Sequence, residues 1–118
     1  MKAIIITLLM LFSINTRAQS CKEFMELVKS ENSGTAYTSY TSSSISKVTF
    51  YEVSTNSTKL YFAIVCFKRE YSINCNEYIY QVASDTKSNY SNNYYLSAGK
   101  AFGKYIAPYK NNLKCGPS

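Results

Sequence analysis

Leu60-Tyr-Phe-Ala-Ile-Val-Cys-Phe67 and Tyr78-Ile-Tyr-Gln-Val82 are the two stretches that decide the fold. The first is apolar on both alternating faces, which predicts a central strand that is covered on both sides. The second alternates after a polar gap, so the two predict an antiparallel hairpin. Upstream, Val48 and Phe50 lie in a further strand-like segment that ends at a polar turn. We therefore expect a three-stranded antiparallel sheet over about residues 45–53, 60–67 and 75–82.

A short helix is predicted before the sheet. Ser20 and Glu23 have the spacing of a capping box, and Phe24 and Val28 follow at helical spacing. This pattern predicts a helix from about Cys21 to Ser30. The Ser-, Thr- and Tyr-rich segment 35–46 that follows can be a loop or an edge strand, and we interpret it as a loop leading into the first strand.

Two helices are predicted after the sheet. Ser84-Asp85 can cap the first helix, which carries Tyr90, and Ser97 can cap the second, which Pro108 cannot continue. One helix before a small sheet and two after it make an α+β domain.

Residues 1–18 have the pattern of a secretory signal peptide. Lys2 precedes a short apolar run, and Thr16-Arg-Ala18 places small residues where a signal peptidase cleaves, which predicts cleavage after Ala18. The run has about half of the roughly 20 apolar residues that a transmembrane anchor needs. Lipidation of Cys21 is a second alternative, but Ala18 and Gln19 fit that signal poorly. We expect a periplasmic or secreted protein without a membrane span.

Cleavage would leave one domain, residues 19–118. The chain has 13 basic and 7 acidic residues, and loss of Lys2 and Arg17 reduces the net charge from +6 to +4. At about 100 residues, such a domain has a small core and benefits from covalent cross-links.

Four cysteines, Cys21, Cys66, Cys75 and Cys115, predict a disulfide set. Three pairings are possible. Because Cys66 and Cys75 lie on the two arms of the hairpin and the other two bracket the domain, we favour Cys66–Cys75 with Cys21–Cys115. A zinc site is disfavoured, since no two cysteines are closer than nine positions and the chain has no histidine. No metal or other cofactor is therefore expected.

The elements in this order resemble the KTSC domain, a short bacterial module also found at the C-terminus of some lysyl-tRNA synthetases. The resemblance covers about residues 42–109. It rests on Ser44-Ile45 with Val48 and Phe50, on Tyr78-Ile-Tyr80, and on Ser97-Ala-Gly-Lys-Ala-Phe102. The chain departs from the family in its hairpin, where two cysteines flank a loop that lacks the usual glycine. The resemblance implies a fold, and RNA binding is an activity suggested for the family.

The composition argues against an enzyme. Histidine, the common general base, is absent, and the seven acidic residues show no paired catalytic motif. The most unusual feature is the content of 12 tyrosines, a residue that offers a stacking face and a hydroxyl. Candidate binding residues are Tyr78 and Tyr80, with Lys100 and Lys104 as a modest basic patch. We expect a non-catalytic interaction module for a protein or polymer; the alternative is a nucleic-acid binder.

The hairpin register decides which tyrosines are accessible. If Cys66 lies opposite Cys75, then Tyr61 lies opposite Tyr80, and both tyrosines share one face. We expect a loop of about Arg69 to Asn74, and we expect the Ser97 helix to pack on the face of Tyr61 and Tyr80.

Overall fold

The computed structural model describes residues 17–117, with side chains from Ser20 onward; most of the predicted signal peptide lies outside this range. Helix α1 is Arg17–Glu31. The strands are β1 (Thr35–Thr38), β2 (Ile45–Ser54), β3 (Lys59–Lys68) and β4 (Cys75–Val82). Helices α2 (Thr86–Asn93) and α3 (Ala98–Tyr105) follow, and then a 3₁₀ turn (Ala107–Tyr109) and the short helix α4 (Lys110–Leu113). The predicted α+β class is confirmed.

The sheet has four antiparallel strands in the order β1-β2-β3-β4, so the prediction of three strands is wrong. The additional strand, β1, comes from the segment interpreted as a loop, and it places Tyr37 opposite Val48. Tyr37 is its one half-buried residue and packs edge-on against Phe50. Because β1 is held mainly by backbone pairing, it lacks the apolar alternation that reveals a strand.

The predicted hairpin register is wrong by two residues. Cys66 lies opposite Glu77, Cys75 lies opposite Lys68, and Tyr80 lies opposite Ala63. A shift of two keeps every side chain on its predicted face, because side chains alternate with a period of two. The loop spans 69–74, as expected, and Tyr71 adopts a left-handed backbone conformation there.

Two clusters of apolar side chains cover the two faces of the sheet. The front cluster joins α2, α3 and Ile106 to one face. The back cluster joins Met25 and Val28 of α1 to the other face. The central strand β3 is buried on both sides, as predicted, and α3 packs on the face that carries Tyr80. The buried members of the front cluster are Ile45, Val48, Phe50, Ala63, Val65, Tyr80, Val82, Tyr90, Ala98, Ala101 and Ile106.

The helix caps agree with the predictions only in part. Ser97 caps α3, because its Oγ accepts a hydrogen bond from the Lys100 N–H at 3.2 Å. Asp85 precedes α2 but makes no side-chain cap. Ser20 lies inside α1, which already includes Arg17, so Ser20 is not the N-cap that the sequence predicted and the helix begins before the predicted start at about Cys21.

Both disulfides have the pairing that the spacing favoured. Cys21–Cys115 joins α1 to the C-terminal tail, residues 107–117, and its Cα atoms are 5.6 Å apart. Cys66–Cys75 joins β3 to β4 diagonally, with Cα atoms 5.4 Å apart. Within residues 17–117, no helix combines the length and the apolar character needed to cross a bilayer.

The tail runs along the outer edge of β4. The Asn112 side-chain amide donates to the Gln81 carbonyl at 2.9 Å, and Leu113 packs against the back cluster. Gly116 lies against the Tyr80 ring, where an added Cβ would be 3.0 Å from the hydroxyl oxygen.

Candidate functional site

Three loops meet at one end of the sheet: residues 39–44 between β1 and β2, 69–74 between β3 and β4, and 94–97 between α2 and α3. The Lys68 N–H donates to the Ser44 carbonyl at 2.8 Å, and the Lys68 ammonium donates to the Ser42 carbonyl. An added Cβ at Gly99, in the first turn of α3, would lie 3.5 Å from the Ser44 Oγ. We call these three loops together the loop end.

The loop end carries most of the exposed large apolar side chains. Six such side chains occur among the residues whose burial the structure describes, and five belong to these loops. Each of the five keeps at least 70% exposure, whereas the sixth, Leu27 on α1, keeps 41%. The five are Tyr40, Tyr71, Ile73, Tyr95 and Leu96. Grouped exposed apolar residues are typical of interaction sites, and tyrosine is enriched in protein interfaces.

A groove of about 580 Å³ lies between the first and third of these loops. It is lined by residues 38–44 and 94–99. Ten of these 13 residues carry a hydroxyl group, and none of the described lining residues is charged. The lining side chains therefore offer hydrogen-bonding groups without ionic charge, and the Lys68 ammonium is bonded to the carbonyl of one lining residue, Ser42.

Two buried hydroxyls lie near the groove: that of Ser39, which lines it, and that of Tyr90 in the front cluster. Ser39 is 9% exposed, and its N–H donates to the Ser46 carbonyl at 2.8 Å, which fixes the loop. The Ser39 Oγ and the Tyr90 hydroxyl are adjacent, yet neither makes a hydrogen bond of normal geometry with any described group. Burial raises the pKa of Tyr90 to about 12, and the neighbouring Ser39 hydroxyl opposes part of this rise.

Tyr80 is a core residue, which corrects its place among the candidate binding residues. It is 3% exposed and lies between the Phe102 ring, 5.6 Å away, and Gly116. Burial raises the pKa of Tyr80 to about 12, with a further contribution from Tyr78. A ring enclosed in this way cannot stack on a ligand.

The other three predicted residues do not form one surface with it. Tyr78 is half-buried and packs edge-on against Phe67 at 5.8 Å. Lys100 and Lys104 are exposed on α3, and the Lys104 ammonium is 5.4 Å from the Tyr105 ring. The helix therefore separates the buried Tyr80 from the two lysines.

A second groove, of about 730 Å³, lies between α1, β4 and the tail. Glu77 lines it and forms an ion pair with Lys29, which is also 3.7 Å from Glu26. Burial disfavours the charged Lys29, but the hydrogen bond to Glu77 and the negative charges of Glu77 and Glu26 together outweigh burial and raise the pKa of Lys29. These charges stabilise each other, and cysteines of both disulfides line the groove. The packing of α1 and the tail therefore explains these residues without a ligand.

The five exposed residues of the loop end are not among the binding residues predicted from the sequence. Leu96 carries the clearest signal, since it is a large apolar residue in a connection between two helices, where polar residues are usual. Tyr40 lies in a run of serine and threonine that shows no periodicity. Their proximity depends on β1, which was not predicted.

No family model matches the chain, and no match was found among the curated proteins or among the solved structures.

Proposed function

We propose that this protein is an exported, non-catalytic module that binds a protein or polymer partner through its loop end. The observation that carries the proposal is the placement, on three adjoining loops, of five of the six exposed large apolar side chains found among the described residues. Such side chains lose unfavourable contact with water when a partner covers them.

Export is supported by the leader pattern of residues 1–18 and by the two disulfides, which are typical of oxidising compartments. We also propose that this protein is a divergent relative of the KTSC family. Strands β2 to β4 and helix α3 fall on the residues that carry this resemblance.

The test is capture of partners from the native envelope fraction by the immobilised mature protein. The triple variant Tyr40→Ser/Tyr71→Ser/Tyr95→Ser should lose the captured partner, and thermal unfolding should stay close to that of the unmodified protein because these side chains are exposed. Leu27→Ser on α1 is the matched control and should retain the partner. Equal capture by the triple variant would rule out the loop end as the binding surface.

Nucleic-acid binding is the second candidate. Arg69 lies in the loop end next to Lys68, close to the exposed Tyr71. Phosphate binding releases counterions, so affinity would fall steeply as salt rises. Aromatic binding to a neutral partner would depend little on salt, and a salt titration of the captured complex therefore separates the two candidates.

A further inference from the structure

We infer that the groove between residues 38–44 and 94–99 is a binding site for a neutral saccharide. This inference rests on the proposed function, since it assigns a ligand class to one part of the loop end. Its volume of about 580 Å³ falls within the range of roughly 300 to 1,000 Å³ that is usual for small-ligand sites.

The absence of charge in the groove favours a neutral ligand. The chain carries 20 charged residues, yet none of the 13 described residues that line the groove is among them. Sites that bind anionic ligands usually supply Arg or Lys for charge-assisted hydrogen bonds. This lining instead offers hydroxyl and backbone groups, which pair with the hydroxyls of a sugar at no ionic desolvation cost.

Two tyrosines provide stacking surfaces on opposite sides of the groove. Tyr40 belongs to the loop after β1, and Tyr95 belongs to the loop before α3. Both rings are largely exposed. The negative face of an aromatic ring attracts the C–H groups on the apolar face of a sugar ring, and its hydroxyl can bond a sugar oxygen.

Unpartnered polar groups can bind the sugar hydroxyls. The buried Ser39 Oγ lies beside the Tyr90 hydroxyl but makes no hydrogen bond of normal geometry, and a buried hydroxyl of this kind is uncommon in folded proteins. In the first turn of α3, the N–H groups of Ala98 and Gly99 have no acceptor inside the helix, and the Ser97 Oγ accepts from the Lys100 N–H. A sugar hydroxyl both donates and accepts, so it suits both kinds of group.

The probes are neutral hexasaccharides of glucose in α- and β-linkage and of N-acetylglucosamine, titrated into the isotopically labelled mature protein. At millimolar concentration, at least one should shift the amide resonances of residues 38–44 and 94–99. A hexasaccharide of galacturonic acid tests whether the groove prefers a negatively charged saccharide to a neutral one. Tighter binding of this acidic probe, or no binding of any neutral probe, would overturn the inference.

Variants test the role of each group. Tyr40→Ser and Tyr95→Ser should each weaken binding by about tenfold, as expected for loss of an aromatic anchor. The control is Leu27→Ser on α1, which removes an exposed large apolar side chain outside the loop end and should leave the saccharide affinity unchanged.

Ser39→Ala separates a binding role from a structural one. Because the Ser39 hydroxyl lies beside the Tyr90 hydroxyl without a hydrogen bond of normal geometry, its removal should change thermal stability little, while the saccharide affinity falls. Unchanged affinity in this variant would contradict the role of Ser39.

The inference and the proposed function can fail separately. Capture of a partner that requires Tyr71, together with no response to any saccharide, would reject the saccharide site and retain the interaction module. Saccharide binding that is lost in the Tyr40 and Tyr95 variants would support the inference even if no protein partner is captured.

Discussion

Tyr80 packs between α3 and the C-terminal tail, and its ring contacts both Phe102 and Gly116. Tyr80→Ala should therefore lower the free energy of unfolding by about 3 kcal/mol, as for other buried aromatic truncations. Denaturant unfolding measures this change. The control Tyr71→Ala removes a fully exposed ring and should change stability by less than about 0.5 kcal/mol. Similar effects of the two substitutions would contradict the burial of Tyr80.

Tyr80 and Tyr90 also make stability depend on alkaline pH. Burial raises both pKa values from 10 to about 12, so the folded protein keeps these protons when the unfolded chain has lost them. Their contribution to stability is therefore complete below pH 10 and is lost as the pH rises toward 12. We expect stability, followed by circular dichroism, to decline over this range, and Tyr90→Phe should reduce the steepness of the decline. A pH-independent stability up to pH 12 would argue against both shifts.

The sequence reveals which tyrosines can pack in the core but not which are exposed. Tyr80 lies in an alternating strand, so its burial under α3 could be predicted from the period of two. Tyr40 and Tyr95 are in connections without periodicity. Their exposure depends on the path of the loops, which is decided by long-range contacts such as the bonds from Lys68 to the β1–β2 loop.

The turn from α1 into β1 depends on a close approach at Gly34. An added Cβ there would lie 2.6 Å from the Thr49 Cγ2 and 2.7 Å from the Tyr51 Cε2. Gly34→Ala should therefore destabilise the protein by about 1–3 kcal/mol, because the entry into β1 must shift. Thermal or denaturant unfolding measures the change.

Gly103 on α3 is the matched control for this prediction. No described atom outside the helix backbone lies within 4 Å of an added Cβ at this position. Gly103→Ala should raise stability by about 0.5–1 kcal/mol, because alanine loses less backbone entropy in a helix. If both substitutions changed stability in the same direction, the close packing at Gly34 would not explain the effect of Gly34→Ala.

The strands with a periodic buried face can be predicted from the sequence. A strand or a register that depends on backbone pairing cannot. β2, β3 and β4 were predicted within one residue at each end, whereas β1 was missed because three of its four residues are exposed. The register was missed because a disulfide can join diagonal as well as directly opposite positions. The apolar pattern determines which face of the sheet a side chain lies on. It does not determine which residue lies opposite on the neighbouring strand, because a shift of two residues leaves every face unchanged.

The two disulfides differ in how much of the chain they constrain. Cys21–Cys115 spans 94 positions and Cys66–Cys75 spans nine. The entropy of the closed loops predicts losses of about 4–5 kcal/mol for Cys21→Ala/Cys115→Ala and about 2–3 kcal/mol for Cys66→Ala/Cys75→Ala. Denaturant midpoints of the two double variants measure the order. The burial of Cys66 adds to the second loss, so a larger effect from the short loop would mean that core packing outweighs chain entropy here.

The tail along β4 connects the solubility of the sheet with thiol oxidation. The Asn112 side chain donates a hydrogen bond to the Gln81 carbonyl on the outer edge of β4, and the Cys21–Cys115 disulfide holds the tail against α1. Before Cys115 is oxidised, the tail is held by non-covalent contacts alone, and an uncovered strand edge can pair with another chain. We therefore expect the reduced chain to aggregate more readily than the oxidised one. Recombinant production in a reducing cytosol should yield inclusion bodies, and delivery to an oxidising compartment should yield soluble protein.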